Sequence, residues 1–265
     1  NTIYNSTYIY FTNSSVRIPH TTSNILYVYG NMSHFELTDA NIDTFTLYYS
    51  EVVATETSNI DILDGYYSQI TINDSSVSTM TITNCTNSKI IENSNVGKFR
   101  AYNSSGIINV STISKDMLLV NSIFTISFSI FAGVISISIT DSQLTMDKIS
   151  YYNIDLDSEN STLMIKNSSI QIFSGTFDPS ACYMYDTKFT TYGHIYLMEE
   201  SLLTTKNVTL HTIDVTGPRA EMHIENTTIL DGVYYNPYAN SSGTFKDSDI
   251  NLIYVYTYEK IENMS

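Results

Sequence analysis

Apolar and polar residues alternate in short runs along most of the chain. Ile126-Ser-Phe-Ser-Ile130 and Ile135-Ser-Ile-Ser-Ile139 alternate strictly. Tyr8-Ile-Tyr-Phe11, Leu26-Tyr-Val-Tyr29, Phe45-Thr-Leu-Tyr48, Thr79-Met-Thr-Ile82, Ile170-Gln-Ile-Phe173 and His194-Ile-Tyr-Leu197 do so, or nearly so. A period of two puts successive side chains on opposite faces of a strand. Ile, Val, Thr, Tyr and Phe dominate, and helical runs of Ala, Leu, Glu and Lys are missing. The uncharged stretch from Met117 to Thr140 has the length of a membrane helix, but its alternation reads as strands.

A four-residue corner separates the runs: Asn or Asp, usually Ser or Thr, any residue, then a large apolar residue. It occurs as Asn121-Ser-Ile-Phe124, Asp141-Ser-Gln-Leu144, Asn160-Ser-Thr-Leu163, Asp186-Thr-Lys-Phe189, Asn207-Val-Thr-Leu210, Asn226-Thr-Thr-Ile229 and Asp247-Ser-Asp-Ile250. The starts are 20, 19, 26, 21, 19 and 21 residues apart. Asn and Asp tolerate the left-handed conformation and bond their own backbone. A period near 20 opened by a turn residue is the mark of a solenoid. The chain therefore reads as one all-β domain over residues 1–265, a parallel β-helix with the right-handed crossover expected of parallel strands. Coils of two or three short strands stack at roughly 4.8 Å, so about a dozen make a rod roughly 60 Å long. The 26-residue gap reads as a coil with a loop inserted at Ser174–Ala181. In the first half the template fits at uneven spacing, at Asn13, Asn59, Asp74, Asn87 and Asn93. That unevenness predicts loops of varying length or extra corners.

Charge narrows the partners. With 12 basic and 27 acidic residues the net charge is −15, which argues against a nucleic-acid face and against docking on anionic lipid. The sequence starts at Asn1 without a basic-plus-apolar leader, as expected of a mature secreted product or an excised fragment. Strand-like sequence runs close to both ends, and bare solenoid ends need a cap. The expectation is that another chain covers them, by end-to-end assembly, or that the ends are trimmed.

Ser and Thr number 68 and Asn 24. Asn-x-Ser/Thr sequons stand at Asn5, Asn13, Asn31, Asn73, Asn84, Asn103, Asn109, Asn160, Asn167, Asn207, Asn226, Asn240 and Asn263. These 13 compare with about six expected by chance, and in a secreted chain they predict covalent glycans at several sites. Turn preference for Asn-Ser pairs accounts for part of the excess. Cys85 and Cys182 lie nearly five coils apart, beyond disulfide reach, and read as buried thiols. The five histidines (His20, His34, His194, His211 and His223) show no ligand spacing and read as surface or lightly buried residues; no metal is expected. Tyr-x-Tyr at Tyr8/Tyr10, Tyr27/Tyr29, Tyr183/Tyr185 and Tyr254/Tyr256/Tyr258 predicts outward tyrosine stacks, structural ladders or a contact surface for sugars or a neighbouring subunit. The acidic groups Asp155/Asp157/Glu159, Glu199/Glu200 and Asp247/Asp249 read as solvated charge, because no rule picks out a glycosidase pair.

By its coil period and Asn/Asp corner, the whole chain resembles the pectin-lyase-like parallel β-helix proteins, which include pectate lyases, polygalacturonases, phage tailspikes and adhesins. The resemblance implies the fold and no catalytic residue. The Asn-Thr-Asp, Asp-Asp and His-Gly elements of polygalacturonases do not occur, and Arg17, Arg100 and Arg219 flank no acidic pair in a family motif. The Ser/Thr/Asn/Tyr/Ile-rich composition is similar to that of secreted surface glycoproteins of thermoacidophilic archaea. Together these readings predict a non-enzymatic extracellular glycoprotein of the cell surface. It would be a subunit of a layer or filament, with no cofactor, no nucleic acid and no membrane span, associating with itself or with other surface proteins. A carbohydrate-active β-helix enzyme or a glycan-binding adhesin is the alternative, since fold does not decide between them.

Overall fold

A computed structural model describes residues 8–21, 25–91, 93–109, 111–127, 130–131, 134–235 and 241–255. The described chain contains no helix and is a parallel β-solenoid of about a dozen coils. Among the described residues one sheet has 16 strands and the other 13, and the chain passes from one to the other and back in every coil. A typical passage is the long strand Asn41–Tyr48, a corner at Tyr49 and Ser50, the short strand Glu51–Thr55, a second corner at residues 56–58, and the next long strand Asn59–Tyr66. No helix among the described residues is long and apolar enough to cross a membrane.

The alternation that predicts these strands also explains why the coils stack. In Glu51–Thr55, Val52 and Ala54 are fully buried while Glu51, Val53 and Thr55 face outward. The long strands break the rule once: Ile42, Phe45 and Leu47 are buried, with Asp43 and Thr44 outward in succession. Two successive outward residues cannot lie on one flat strand, so each long strand bends into two limbs around the core. Register shifts accompany the bend between Val96 and Lys98 and between Ile170 and Ile172, as bulges do.

Parallel register turns inward positions into columns. One runs Val28, Phe45, Leu63, Met80, Phe99, Met117, Ile137, Leu156, Gly175, Ile195, Ile213 and Val233. Each large member contributes about 1.5–3 kcal/mol by leaving water, but only because the coils on both sides cover it. Gly175 fits here because a Cβ would lie 2.7 Å from the Phe173 ring and 3.0 Å from that of Phe177. The two rings fill the place of its missing side chain.

The expected loop at Ser174–Ala181 is not there. Ser169–Asp178 is one strand of 10 residues, followed by a corner at Pro179 and Ser180 and the short strand Ala181–Tyr185. The 26-residue gap arises because the template moves between two different corners. Asn160 lies where a long strand passes to a short one, and Asp186 where a short strand passes to a long one. The same alternation accounts for the uneven spacing of the first half. Asn59 is the first residue of a strand, and the left-handed residues of its corner are Glu56 and Thr57.

Candidate functional site

Among the described residues, twenty-three non-glycine residues take positive φ, and fifteen of them are Asn or Asp. The left-handed conformation costs other L-residues about 1–2 kcal/mol, so the corner chemistry read from sequence is the reason Asn and Asp recur. Among the sequons, Asn13, Asn84, Asn103, Asn160, Asn167, Asn207 and Asn226 occupy such corners. Six of the seven are exposed and Asn84 is half-buried. Several bond to the preceding coil: Asn167 Nδ2 donates to Asp147 at 2.9 Å, Asn207 to Asp186 at 2.7 Å, Asn226 to Asn207 at 2.6 Å, and Asn160 to Asp141. These bonds run along the outside of the rod. Asn31, Asn73 and Asn109 instead end strands and are half-buried. Asn73 and Asn109 have buried Oδ1 atoms without a partner. Asn5, Asn240 and Asn263 lie outside the described residues.

The residue after each long-to-short corner builds a ladder that sequence reasoning missed. Ser33, Ser50, Ser68, Cys85, Ser104, Ser122, Ser142, Ser161, Ser180 and Ser201 are all buried, 17 to 21 residues apart. Each backbone N–H donates to the side chain of the next member, as Ser33 to Ser50 Oγ at 3.1 Å, Ser104 to Ser122 at 3.1 Å and Ser142 to Ser161 at 3.0 Å. Most of the hydroxyls donate in turn to the carbonyl two residues back, as Ser122 does to Val120 at 2.8 Å. Cys85 keeps the ladder unbroken: Ser68 N–H points at its Sγ at 3.4 Å, and its own N–H donates to Ser104 Oγ at 3.1 Å.

A groove of about 820 Å³ lies over the first five rungs. Its floor is the serine ladder. One wall is the left-handed column, where Met32, Tyr49 and Tyr67 replace the usual Asn or Asp. Tyr49 and Tyr67 stack at 4.9 Å with planes 10° apart. The other wall is an in-register column of first strand residues, Ser15, His34, Glu51 and Gln69. Within it His34 Nδ1 lies 3.0 Å from Glu51 Oε2.

A second cluster sits at the bends of later long strands. His194 is only 8% exposed, more deeply buried than the surface or lightly buried position expected of the histidines. Its Nε2 lies 2.8 Å from Asp214 Oδ2 and its Nδ1 2.5 Å from the Tyr192 hydroxyl. An ionised carboxylate only accepts, so Nε2 carries the proton and Nδ1 accepts from Tyr192. Tyr196 stacks on the imidazole at 4.0 Å. Burial, with Tyr196, Asp214 and Asp231 nearby, pushes the Tyr192 phenol above its ordinary range. Carboxylate, imidazole and exposed hydroxyl in series can move a proton. The topology brings them together through the register of strands Lys188–Leu197 and Thr209–Val215, which no motif spacing reveals.

Cys85 and Cys182 are free and buried, and burial raises both thiols. Among the described residues no group of three His, Cys, Asp or Glu side chains could hold a metal ion. The tyrosine stack stands where expected at the start of the rod. Tyr8–Tyr27 and Tyr10–Tyr29 lie 5.7 Å apart, Tyr29–Tyr48 5.6 Å and Tyr48–Tyr66 4.7 Å. Tyr183 and Tyr185 are half-buried on the outer face of the short-strand sheet. Tyr254 approaches Tyr234 at 6.1 Å, and Tyr256 and Tyr258 lie outside the described residues. Compared with known proteins, the chain matches no family model, no curated protein and no solved structure. The likeness to pectin-lyase-like proteins is therefore that of one parallel β-solenoid to others.

Proposed function

We propose that this chain is a structural extracellular glycoprotein, a β-solenoid subunit of a cell-surface layer or filament that associates with itself or with other surface proteins. The observation that carries the reading is the placement of seven sequon asparagines at outward corners of a rod whose corners are closed by hydrogen bonds. A glycan on Nδ2 leaves one N–H, enough for the single coil-to-coil bond that Asn167, Asn207 and Asn226 each donate. Glycans therefore stand off the rod without dismantling it. Asn73 and Asn109, with buried side-chain oxygens, are the sites least suited to a sugar. The compositional likeness to secreted archaeal surface glycoproteins agrees with this reading. Glycopeptide mass spectrometry on protein from its native source tests it. Occupancy at the exposed corner sequons is expected, and unmodified Asn at every sequon would remove the proposal.

A second reading, a carbohydrate-active enzyme, is favoured by the Asp214–His194–Tyr192 series. Turnover on polygalacturonate or a panel of cell-surface glycans, lost in Tyr192→Phe, would establish it. No turnover on either would leave the series a structural bridge between coils.

A further inference from the structure

The groove over the first five coils departs from the repeat at three consecutive corners. Along the long-to-short corner the left-handed residue is Asn13, then Met32, Tyr49 and Tyr67, then Asn84, Asn103, Asn121, Asp141 and Asn160, with Glu200 two coils further on. Three consecutive rungs thus carry a bulky side chain in a conformation that the flanking rungs give to Asn or Asp. The three are 59%, 58% and 53% exposed, so burial in the core does not offset the strain. Backbone strain held at an exposed concave site is a mark of function, and all three residues line the groove.

We propose that this groove binds an extended, uncharged linear glycan. The chemistry of the walls selects the occupant. Met32, Tyr49 and Tyr67 offer apolar and aromatic surface against which the faces of sugar rings can lie. The opposite column offers Ser15, His34, Glu51 and Gln69 for hydroxyl groups, and the Gln69 side chain has no hydrogen-bond partner among the described residues. These groups recur once per coil, at roughly 4.8 Å, a rise comparable with one unit of an extended sugar chain. The groove spans about 20 Å by that spacing, room for several units.

Charge and backbone exclude the competitors. No Lys or Arg lines the groove, its carboxylate is Glu51, and the chain carries −15; a polyuronate would meet no cation. An extended peptide would need free backbone donors to add as a strand. Here the N–H groups of Ser14, Ser33, Ser50, Ser68 and Cys85 are spent on the next coil. Those of Asn13, Met32, Tyr49, Tyr67 and Asn84 are also bonded to the next coil. Two sequon asparagines, Asn13 and Asn84, line the end rungs of the groove, so the test uses protein without glycans at these two positions; the site gives the adhesin reading a place and a ligand class.

Isothermal titration calorimetry with cellohexaose, mannohexaose and hexagalacturonate tests the proposal on the full chain. At least one neutral hexasaccharide is expected to bind, and hexagalacturonate is not. The double variant Tyr49→Asn/Tyr67→Asn restores the repeat's own corner residue and creates no new sequon. It is expected to weaken binding at least tenfold while the melting temperature holds or rises. Gln69→Ala, an exposed change on the opposite wall, should weaken binding about threefold to tenfold by loss of one hydrogen bond and serves if the double variant does not fold. Absence of binding by both neutral sugars, equal or tighter binding of hexagalacturonate, or unchanged affinity in the variants would overturn it.

Discussion

At the scale of single residues, the serine after the corner matters more than the Asn or Asp that draws attention to it. Ser122 Oγ accepts from Ser104 N–H at 3.1 Å and donates to Val120 at 2.8 Å, inside a site 1% exposed. Ser122→Ala would leave a buried N–H without an acceptor, a loss of about 1–3 kcal/mol, read as a lower denaturation midpoint. Cys85→Ser is expected to leave stability unchanged or raise it, because the neighbouring rungs close at about 3.1 Å with oxygen. A clear loss in that variant would show that the ladder is shaped around sulfur at this rung. Asp64 gives a pH prediction. Burial raises its carboxyl above the usual range, with the Thr81 hydrogen bond offsetting part of the effect. A raised folded pKa means that the native state binds more protons in the window just above the ordinary Asp value, so stability falls as pH rises through it. Asp64→Asn should therefore raise the melting temperature at pH 7, with the gain shrinking as pH falls towards 4. A gain that is constant with pH would exclude the carboxylate charge as the cause.

At the scale of elements, the strands were legible and the corners only in part. Strict alternation located Ile135–Ile139 and Ile170–Phe173 because inward and outward positions differ sharply there. The template marks a corner in each coil without distinguishing which one, so the step from Asn160 to Asp186 reads as an insertion. Gly175 added to the error: it resembles a loop residue and is an inward rung whose space belongs to Phe173 and Phe177. Met32, Tyr49 and Tyr67 were invisible to an Asn/Asp template, and so was the groove they wall. The signal that would have found them is the serine one residue later, recurring at Ser33, Ser50, Ser68, Ser104 and Ser122. The Tyr192–His194–Asp214 series left no such signal, because its members meet only through the register of neighbouring coils. Strand bends carry their own test. Gly97 lies at a register shift, and a Cβ there would come within 2.3 Å of the Ser78 carbonyl oxygen. Backbone on the adjacent coil cannot swing aside, so Gly97→Ala should cost about 1–3 kcal/mol, measured by denaturant unfolding. A neutral result would mean that the bend slides.

At the scale of the whole molecule, each coil is joined to the next by the same three devices: parallel strand pairing, inward columns and the serine ladder. A solenoid of this kind is nearly one-dimensional, with stability carried by neighbour interfaces. The repeat should then be removable in whole units and intolerant of fractions. Deleting residues 142–160 takes out one coil of 19 residues and joins Asp141 to Ser161, so the left-handed corner is still followed by its serine. Ser122 N–H, which now donates to Ser142 at 2.9 Å, would meet Ser161 Oγ. Phe124, now paired with Leu144, would meet Leu163, which occupies the same inward position one coil on. The expected product is a folded β protein with one coil fewer and a melting temperature a few degrees lower at most, followed by circular dichroism. Deleting residues 142–150 instead would place strand residues at a corner and turn inward side chains out, and that variant should fail to fold. If the whole-coil deletion also fails, the coils are not equivalent, and the rod depends on contacts particular to Ser142–Asn160 rather than on its repeat.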